Sequence, residues 1–267
     1  MMPFGPGRIL QKLMHRPTGG APDKALRQIL AGERVRIVYQ PIVDLSHGEL
    51  FAYEALARPD PELYDGPMSL FEAAIDAHVV GALGRKLRQM SVERCPPKAI
   101  LFVNVYPHEF NEPFLVQPDD PIFWHDEQVY MEITETIPLS EFAYYKGMLQ
   151  EIRSKGIKII VDDLGAGYSN LKYISDLVPD VVKVDRELIA GIDHRDRLQR
   201  VLHSVVDLCN DLGAKVVAEG IETAEELDAV RDAGAQLGQG FFLARPAYPV
   251  PAIFWPPGLA PMRSVGR

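Results

Sequence analysis

The sequence predicts an α/β fold, a modified (β/α)₈ TIM-like barrel with an antiparallel first strand. Three observations carry this. Short apolar, β-branched runs that stop at a polar residue recur eight times along the chain. The stretches between the later runs place apolar residues at helical spacing. The length, 267 residues, suits a single barrel of this kind, which takes about 250.

The elements follow in order. Residues 1–33 read as an N-terminal helical extension. Ile9, Leu10, Leu13 and Met14 fit an amphipathic turn or two, PTGGAP interrupts them, and Lys24–Leu30 reads as a second short helix. Packing on the domain or fraying is the preferred role for this arm over partner binding. The eight runs are VRIVYQPIV (35–43), ELFAYEALA (49–57), AILFVNV (99–105), QVYMEITE (128–135), IKIIVDD (157–163), DVVKVD (180–185), AKVVAEGIE (214–222) and QLGQGFF (236–242). Only DLSHGEL joins the first two, which reads as a hairpin and turns the first strand antiparallel. Buried strands alternating with crossover helices imply parallel pairing for the others. The clearest helices are Glu141–Lys155, Arg197–Leu212 and Ala224–Ala233. Gly156, Gly213 and Gly234 follow their last turns, where a left-handed cap is wanted. The barrel is expected over 34–250. Prolines 246, 249, 251, 256, 257 and 261 leave 251–267 as a Pro-rich C-terminal tail.

Composition excludes several classes. At 47% hydrophobic and 24% charged residues, the chain has ample material for a core, which rules out whole-length disorder. Its 28 basic and 37 acidic side chains give a net charge of −9, which argues against duplex nucleic acid or anionic membranes as partners. Cys95 and Cys209 have the spacing of neither a metal site nor a disulfide framework. There is no signal-peptide h-region and no unbroken apolar stretch of the ~18 residues a membrane span needs. A cytoplasmic protein without membrane insertion is expected.

In such a barrel the active site forms at the C-terminal ends of the strands. Those ends carry Glu54, Asn104, Glu132, Asp162, Asp163, Lys183, Glu219 and Gln239. A charge within an apolar run is costly unless paired or metal-bound. One carboxylate alone is explained by a nearby lysine or helix N-terminus. Five on one rim repel one another, and divalent cations resolve that conflict. An all-oxygen set without His or Cys selects Mg²⁺ or Mn²⁺. Adjacent Asp162 and Asp163 suit a metal pair, and two cations about 3.5–4 Å apart form a clamp for phosphoryl transfer. Lys183 can hold a water, balance charge, or simply pair with an aspartate such as Asp185. Gly165–Ala166–Gly167 lacks the Lys-Ser/Thr of a phosphate loop and reads as a tight turn.

The same residues carry a family pattern. QPIVDL (40–45) followed by YEALAR (53–58) resembles the EAL-domain family, phosphodiesterases that linearise the bacterial messenger cyclic di-GMP. The resemblance continues through VNVYPHEF (103–110), MEITET (131–136), DDLGAGYSNL (162–171), VVKVDRELI (181–189), VVAEGIET (216–223) and GQGFFLARP (238–246). It implies a barrel with an antiparallel first strand. It implies that Glu54, Asn104, Glu132 and Asp162 ligate one Mg²⁺ or Mn²⁺, and that Asp162, Asp163 and Glu219 serve a second. Lys183 would position the attacking water, Glu219 would be the general base, and Glu222 and Gln239 would support that water. Glu135 would brace the loop after Asp163, which in such proteins links the site to a dimer interface. Gln40 and Arg58 would contact the dinucleotide, Arg58 through a phosphate. The product would be linear 5′-pGpG.

The resemblance has departures. The family loop DDFGTGYSSL has Leu164 and Ala166 here in place of Phe and Thr. The family's acid and glycine after the EAL motif fall at Ile75 and His78. His78 is read as a satisfied histidine in preference to a pH sensor. The expectation is a metal-dependent cyclic di-GMP phosphodiesterase, a homodimer, standing without a sensory domain and regulated through dimerisation, the N-terminal arm or a protein partner. The alternatives are a non-hydrolysing cyclic di-GMP receptor, which usually lacks metal ligands that this chain retains, and a two-carboxylate glycosidase. The glycosidase would have no use for Asn104, Lys183 and the tandem aspartates.

Overall fold

Each of the eight apolar runs supplies a strand. The structure, a computed structural model, describes residues 22–112, 115, 117–134, 142–165 and 171–259. The strands are β1 (Val35–Asp44), β2 (Glu49–Pro59), β3 (Leu101–Val105), β4 (Val129–Thr134), β5 (Lys158–Leu164), β6 (Val181–Val184), β7 (Lys215–Ala218) and β8 (Leu237–Gly238). They close into a barrel in chain order. β1 runs antiparallel to both β2 and β8, and the remaining neighbours are parallel.

The helices are α1 (Lys24–Leu30), α2 (Pro67–Asp76), α3 (Val80–Arg94), α4 (Phe142–Ser154), α5 (Leu171–Leu177), α6 (Arg186–Ile189), α7 (Asp196–Asp211) and α8 (Ala224–Asp232). The helix expected at 24–30 is α1, capped by the Asp23 side chain. Gly156, Gly213 and Gly234 take left-handed φ of +83°, +82° and +85° after α4, α7 and α8, as their sequence positions require. Ala247 forms a bridge to Tyr39 that covers β1 from the C-terminal side. Among the described residues no helix is long and apolar enough to cross a membrane.

Strand side chains alternate between faces, so the barrel interior is filled in layers two residues apart. One interior layer is an apolar cluster of Ile42, Ala52, Phe102, Tyr130, Ile160, Val181, Val217 and Leu237. One inward step above it, at every strand, stand Gln40, Glu54, Asn104, Glu132, Asp162, Lys183, Glu219 and Gln239. The apolar plug therefore sets the height of the polar layer.

Two departures from the family pattern acquire a physical meaning. Ile75 is buried in the core between sheet and helices, where an apolar side chain packs. His78 has φ +56°, the left-handed conformation that glycine adopts without steric cost. Leu164 is buried as well, in the core around β5–β7. Ala166, Glu135 and the arm residues Ile9, Leu10, Leu13 and Met14 lie outside the described residues.

Candidate active site

Lys183 stands in the middle of the polar layer with 2% of its surface exposed. Its Nζ lies 2.6 Å from Glu219 Oε1, 3.1 Å from Glu132 Oε2, 3.3 Å from Asp162 Oδ1 and 3.5 Å from Glu54 Oε2. Glu54 also accepts hydrogen bonds from Asn104 Nδ2 at 3.1 Å and Gln239 Nε2 at 2.7 Å. Asn104 and Glu132 face one another in register across β3 and β4. Asp185 does not share this site: it caps α6 by accepting from the Glu187 amide.

Adjacent strand residues point to opposite faces, so Asp162 and Asp163 should not both reach one site. The backbone removes the obstacle. β5 carries a register irregularity between Val161 and Leu164. Asp163 adopts φ +60°, a left-handed conformation that Asp tolerates better than most residues. Oxygens of Asp162, Asp163 and Glu219 consequently lie within 4.8 Å of one another.

The electrostatics match a crowded anionic site. Burial, with the charge of Glu54 and other carboxylates added, holds Glu132 well above the ordinary carboxylate range. Burial and the charges of Asp162 and Glu54 do the same to Glu219, against the pull of Lys183. Asp162 is raised, chiefly by burial. Burial also opposes ionisation of Glu54, but Lys183, Gln239 and Asn104 outweigh it and lower its pKa. Burial would strip the proton from Lys183, but four carboxylates hold it there and raise its pKa well above 10.5. One ammonium does not balance this set.

The residues fit divalent cations. All donors are oxygens, the carboxylates outnumber the cation, and Glu132 Oε1 is buried with no hydrogen-bond partner among the described residues. An orphaned buried carboxylate oxygen is costly in apolar surroundings and well suited to a metal.

Two cavities flank the layer. One, of about 250 Å³, runs from Asn104, Asp162 and Asp163 past Arg58 to Met68, Phe71 and Tyr106. The other, of about 230 Å³, runs from Glu54 and Glu219 past Gln40 to Arg186, Glu222 and Phe241. Gln40 donates from Nε2 to Ala244 O, and Arg58 from its guanidinium to Ala57 O. Glu222 lines the second cavity and pairs with Arg186 at 2.9 Å, not with Lys183. Glu135 lies outside the described residues.

Sequence reasoning missed a buried ion cluster behind the first cavity. Arg88 on α3 is 1% exposed and pairs with both Glu109 and Asp120. Glu109 also accepts from the Tyr106 amide, two residues beyond Asn104. At Gly84 a Cβ would sit 1.8 Å from the Glu109 carboxylate, so that approach needs glycine. Three charges this far apart in the chain leave no local signature. It also missed Arg186 and Glu226, although Thr223–Glu226 has the capping-box pattern that would have pointed to Glu226.

Known proteins resemble this chain in sequence and fold. The EAL domain family matches residues 23–246. An uncharacterized protein of Sinorhizobium fredii is 31% identical over 83% of this chain, and the cyclic di-GMP phosphodiesterase NbdA of Pseudomonas aeruginosa is 30% identical over 84%. The chain spans 28% and 30% of those relatives' lengths. Klebsiella pneumoniae BlrP1, solved as a manganese and cyclic di-GMP complex, superposes with a TM-score of 0.70 at 32% identity, covering 81% of this chain and 57% of that one. With its closed eight-stranded barrel, its oxygen-lined mouth and a family match over most of its length, this chain belongs to the EAL domain family.

Proposed function

We propose that this chain hydrolyses cyclic di-GMP to linear 5′-pGpG, using Mg²⁺ or Mn²⁺, two per site. The observation that carries the reading is the convergence of Glu54, Glu132, Asp162 and Glu219 on Lys183, with a cavity on either side. A cyclic dinucleotide has two nucleoside halves about a central phosphodiester ring, and two cavities about a charged centre suit that shape. The names of the relatives support the same reaction. A homodimer belongs to this reading through the family resemblance; a cytoplasmic location and control through dimerisation, the N-terminal arm or a protein partner belong to it from the sequence.

Glu54, Asn104, Glu132 and Asp162 would hold one cation, and Asp162, Asp163 and Glu219 the second. Bound cations supply Lewis-acid activation of water and neutralise phosphoryl charge. The protein's own groups do the rest. Lys183 holds the attacking water through an N–H. Glu219, whose Oε1 lies 2.6 Å from Lys183 Nζ, accepts its proton. Gln239 fixes the Glu54 carboxylate from one side and Asn104 from the other. Arg58 and Gln40, in opposite cavities, orient the dinucleotide.

Incubation with cyclic di-GMP and Mn²⁺, followed by chromatography, tests this. Metal-dependent pGpG is expected, with a loss of at least about 10²-fold in Glu54→Ala. Binding without cleavage would turn the reading to a receptor, and absence of both would end it.

A pH dependence follows from the raised carboxylates. Glu132, Asp162 and Glu219 keep protons in the metal-free fold at pH values where ordinary carboxylates have lost them. Cations must displace those protons, so Mn²⁺ affinity is expected to rise with pH above the ordinary carboxylate range. Calorimetry in two buffers of different ionisation enthalpy should show net proton release. Binding that releases none would contradict it.

A further inference from the structure

A buried carboxylate outside the chemistry above ties two rim loops together. Glu226 opens α8 and is 7% exposed. Its Oε2 accepts from the amides of Glu222 at 2.7 Å and Thr223 at 3.2 Å. Its Oε1 accepts from the Gly191 amide at 2.8 Å, across 35 residues of chain. The reciprocal bonds with Thr223 are an ordinary capping box. The bond to Gly191 is additional, and no helix cap requires it. Gly191 lies five residues beyond Arg186, on the segment that follows β6. Arg186 in turn meets Glu222 at the wall of the second cavity. Glu219 stands three residues before Glu222 on the same β7–α8 loop.

A carboxylate suits this position because all three partners are donors. An amide would offer one acceptor oxygen and turn its own N–H groups toward other N–H groups.

We propose that Glu226 is a positioning residue for the reaction: it holds the segment after β6 and the β7–α8 loop at a set separation, so that the Arg186–Glu222 pair and Glu219 face the second cavity. This rests on the hydrolytic reading above.

The test compares the full chain with Glu226→Ala, Glu226→Gln and Thr223→Ala. Thr223→Ala removes the helix-capping hydroxyl and leaves the Gly191 bond. In metal-free protein, amide exchange over 186–195 is expected to quicken about tenfold or more in both Glu226 variants and to stay at the wild-type rate in Thr223→Ala. In Glu226→Ala, KM for cyclic di-GMP should rise, and calorimetric Mn²⁺ affinity should fall, by about tenfold or more, with Glu226→Gln intermediate. Thr223→Ala should lower Tm and leave both constants within about twofold. Unchanged exchange, or a Thr223→Ala that matches Glu226→Ala in exchange and affinity, overturns the proposal and leaves Glu226 as a helix cap. A wild-type protein that cleaves no cyclic di-GMP would refute the hydrolytic reading separately. The exchange and Mn²⁺ measurements would then still decide whether Glu226 positions the loops.

Discussion

Lys183→Met is expected to cost the metal-free protein about 3–5 kcal/mol, because it leaves buried carboxylates facing one another with their common cation gone. Nζ lies within 3.5 Å of Glu54, Glu132, Asp162 and Glu219, so all four are affected. At this chain length the fall in Tm is on the order of 10 °C. The loss has a pH signature. Without the ammonium the raised pKa values of Glu132, Asp162 and Glu219 rise further, Glu54 loses the main partner that lowers its own, and the folded state binds more protons than the unfolded state. Stability then falls as pH rises through the window between the ordinary carboxylate value and the raised one. The variant should therefore come closest to wild type at acidic pH and fall furthest behind at alkaline pH. Mn²⁺ should restore part of the loss by supplying positive charge at the same place. Thermal melts at two pH values, with chelator and with Mn²⁺, check all of this. A deficit independent of pH and metal would mean that lost packing, not charge, is the cause. On the proposed hydrolytic reading, activity should be lost even with metal present, since Lys183 is the proposed donor to the attacking water.

Arg88→Met is expected to be about as damaging, by about 3–5 kcal/mol, for a related reason away from the reacting centre. Arg88 is buried with Glu109 and Asp120, both fully enclosed. Burial raises the Glu109 pKa, with Arg88 pulling it back. Removing the guanidinium strands two carboxylates. Adding Glu109→Gln and Asp120→Asn to Arg88→Met should recover part of the loss, since the stranded charges go while the acceptors for the Tyr106 and Ile122 amides stay. Denaturant melts of the single, double and triple variants form the cycle. A triple variant no more stable than Arg88→Met would show that shape, not charge, governs the site. Because Glu109 anchors Tyr106 beside Asn104, weaker metal binding should accompany the single change.

The polar layer was legible because strand periodicity is local. Once an apolar run is assigned as a strand, the interior residue at i predicts the interior residue at i+2. Val181 leads to Lys183 and Ile160 to Asp162 by counting. The hairpin at DLSHGEL and the glycines after three helices were legible for the same reason, since a short loop or a left-handed residue is written in adjacent letters. The strand lengths were less so. The runs at 214–222 and 236–242 extend well beyond β7 (Lys215–Ala218) and β8 (Leu237–Gly238). Their later residues belong to the rim loops that carry Glu219, Glu222 and Gln239.

By itself the sequence determined the barrel and placed an oxygen-only set of side chains at its strand ends, because spacing and residue type suffice for each. The tertiary structure decided which charges meet. It set Lys183 among four carboxylates and gave Asp185 to a helix cap. It turned Asp163 back toward Asp162 through a left-handed backbone. It joined Arg88 to Glu109 and Asp120, and Glu226 to Gly191. Each of these contacts depends on where distant segments come to rest in the closed barrel, and an ion pair or a hydrogen bond is set by distance in space, which one strand's pattern does not contain.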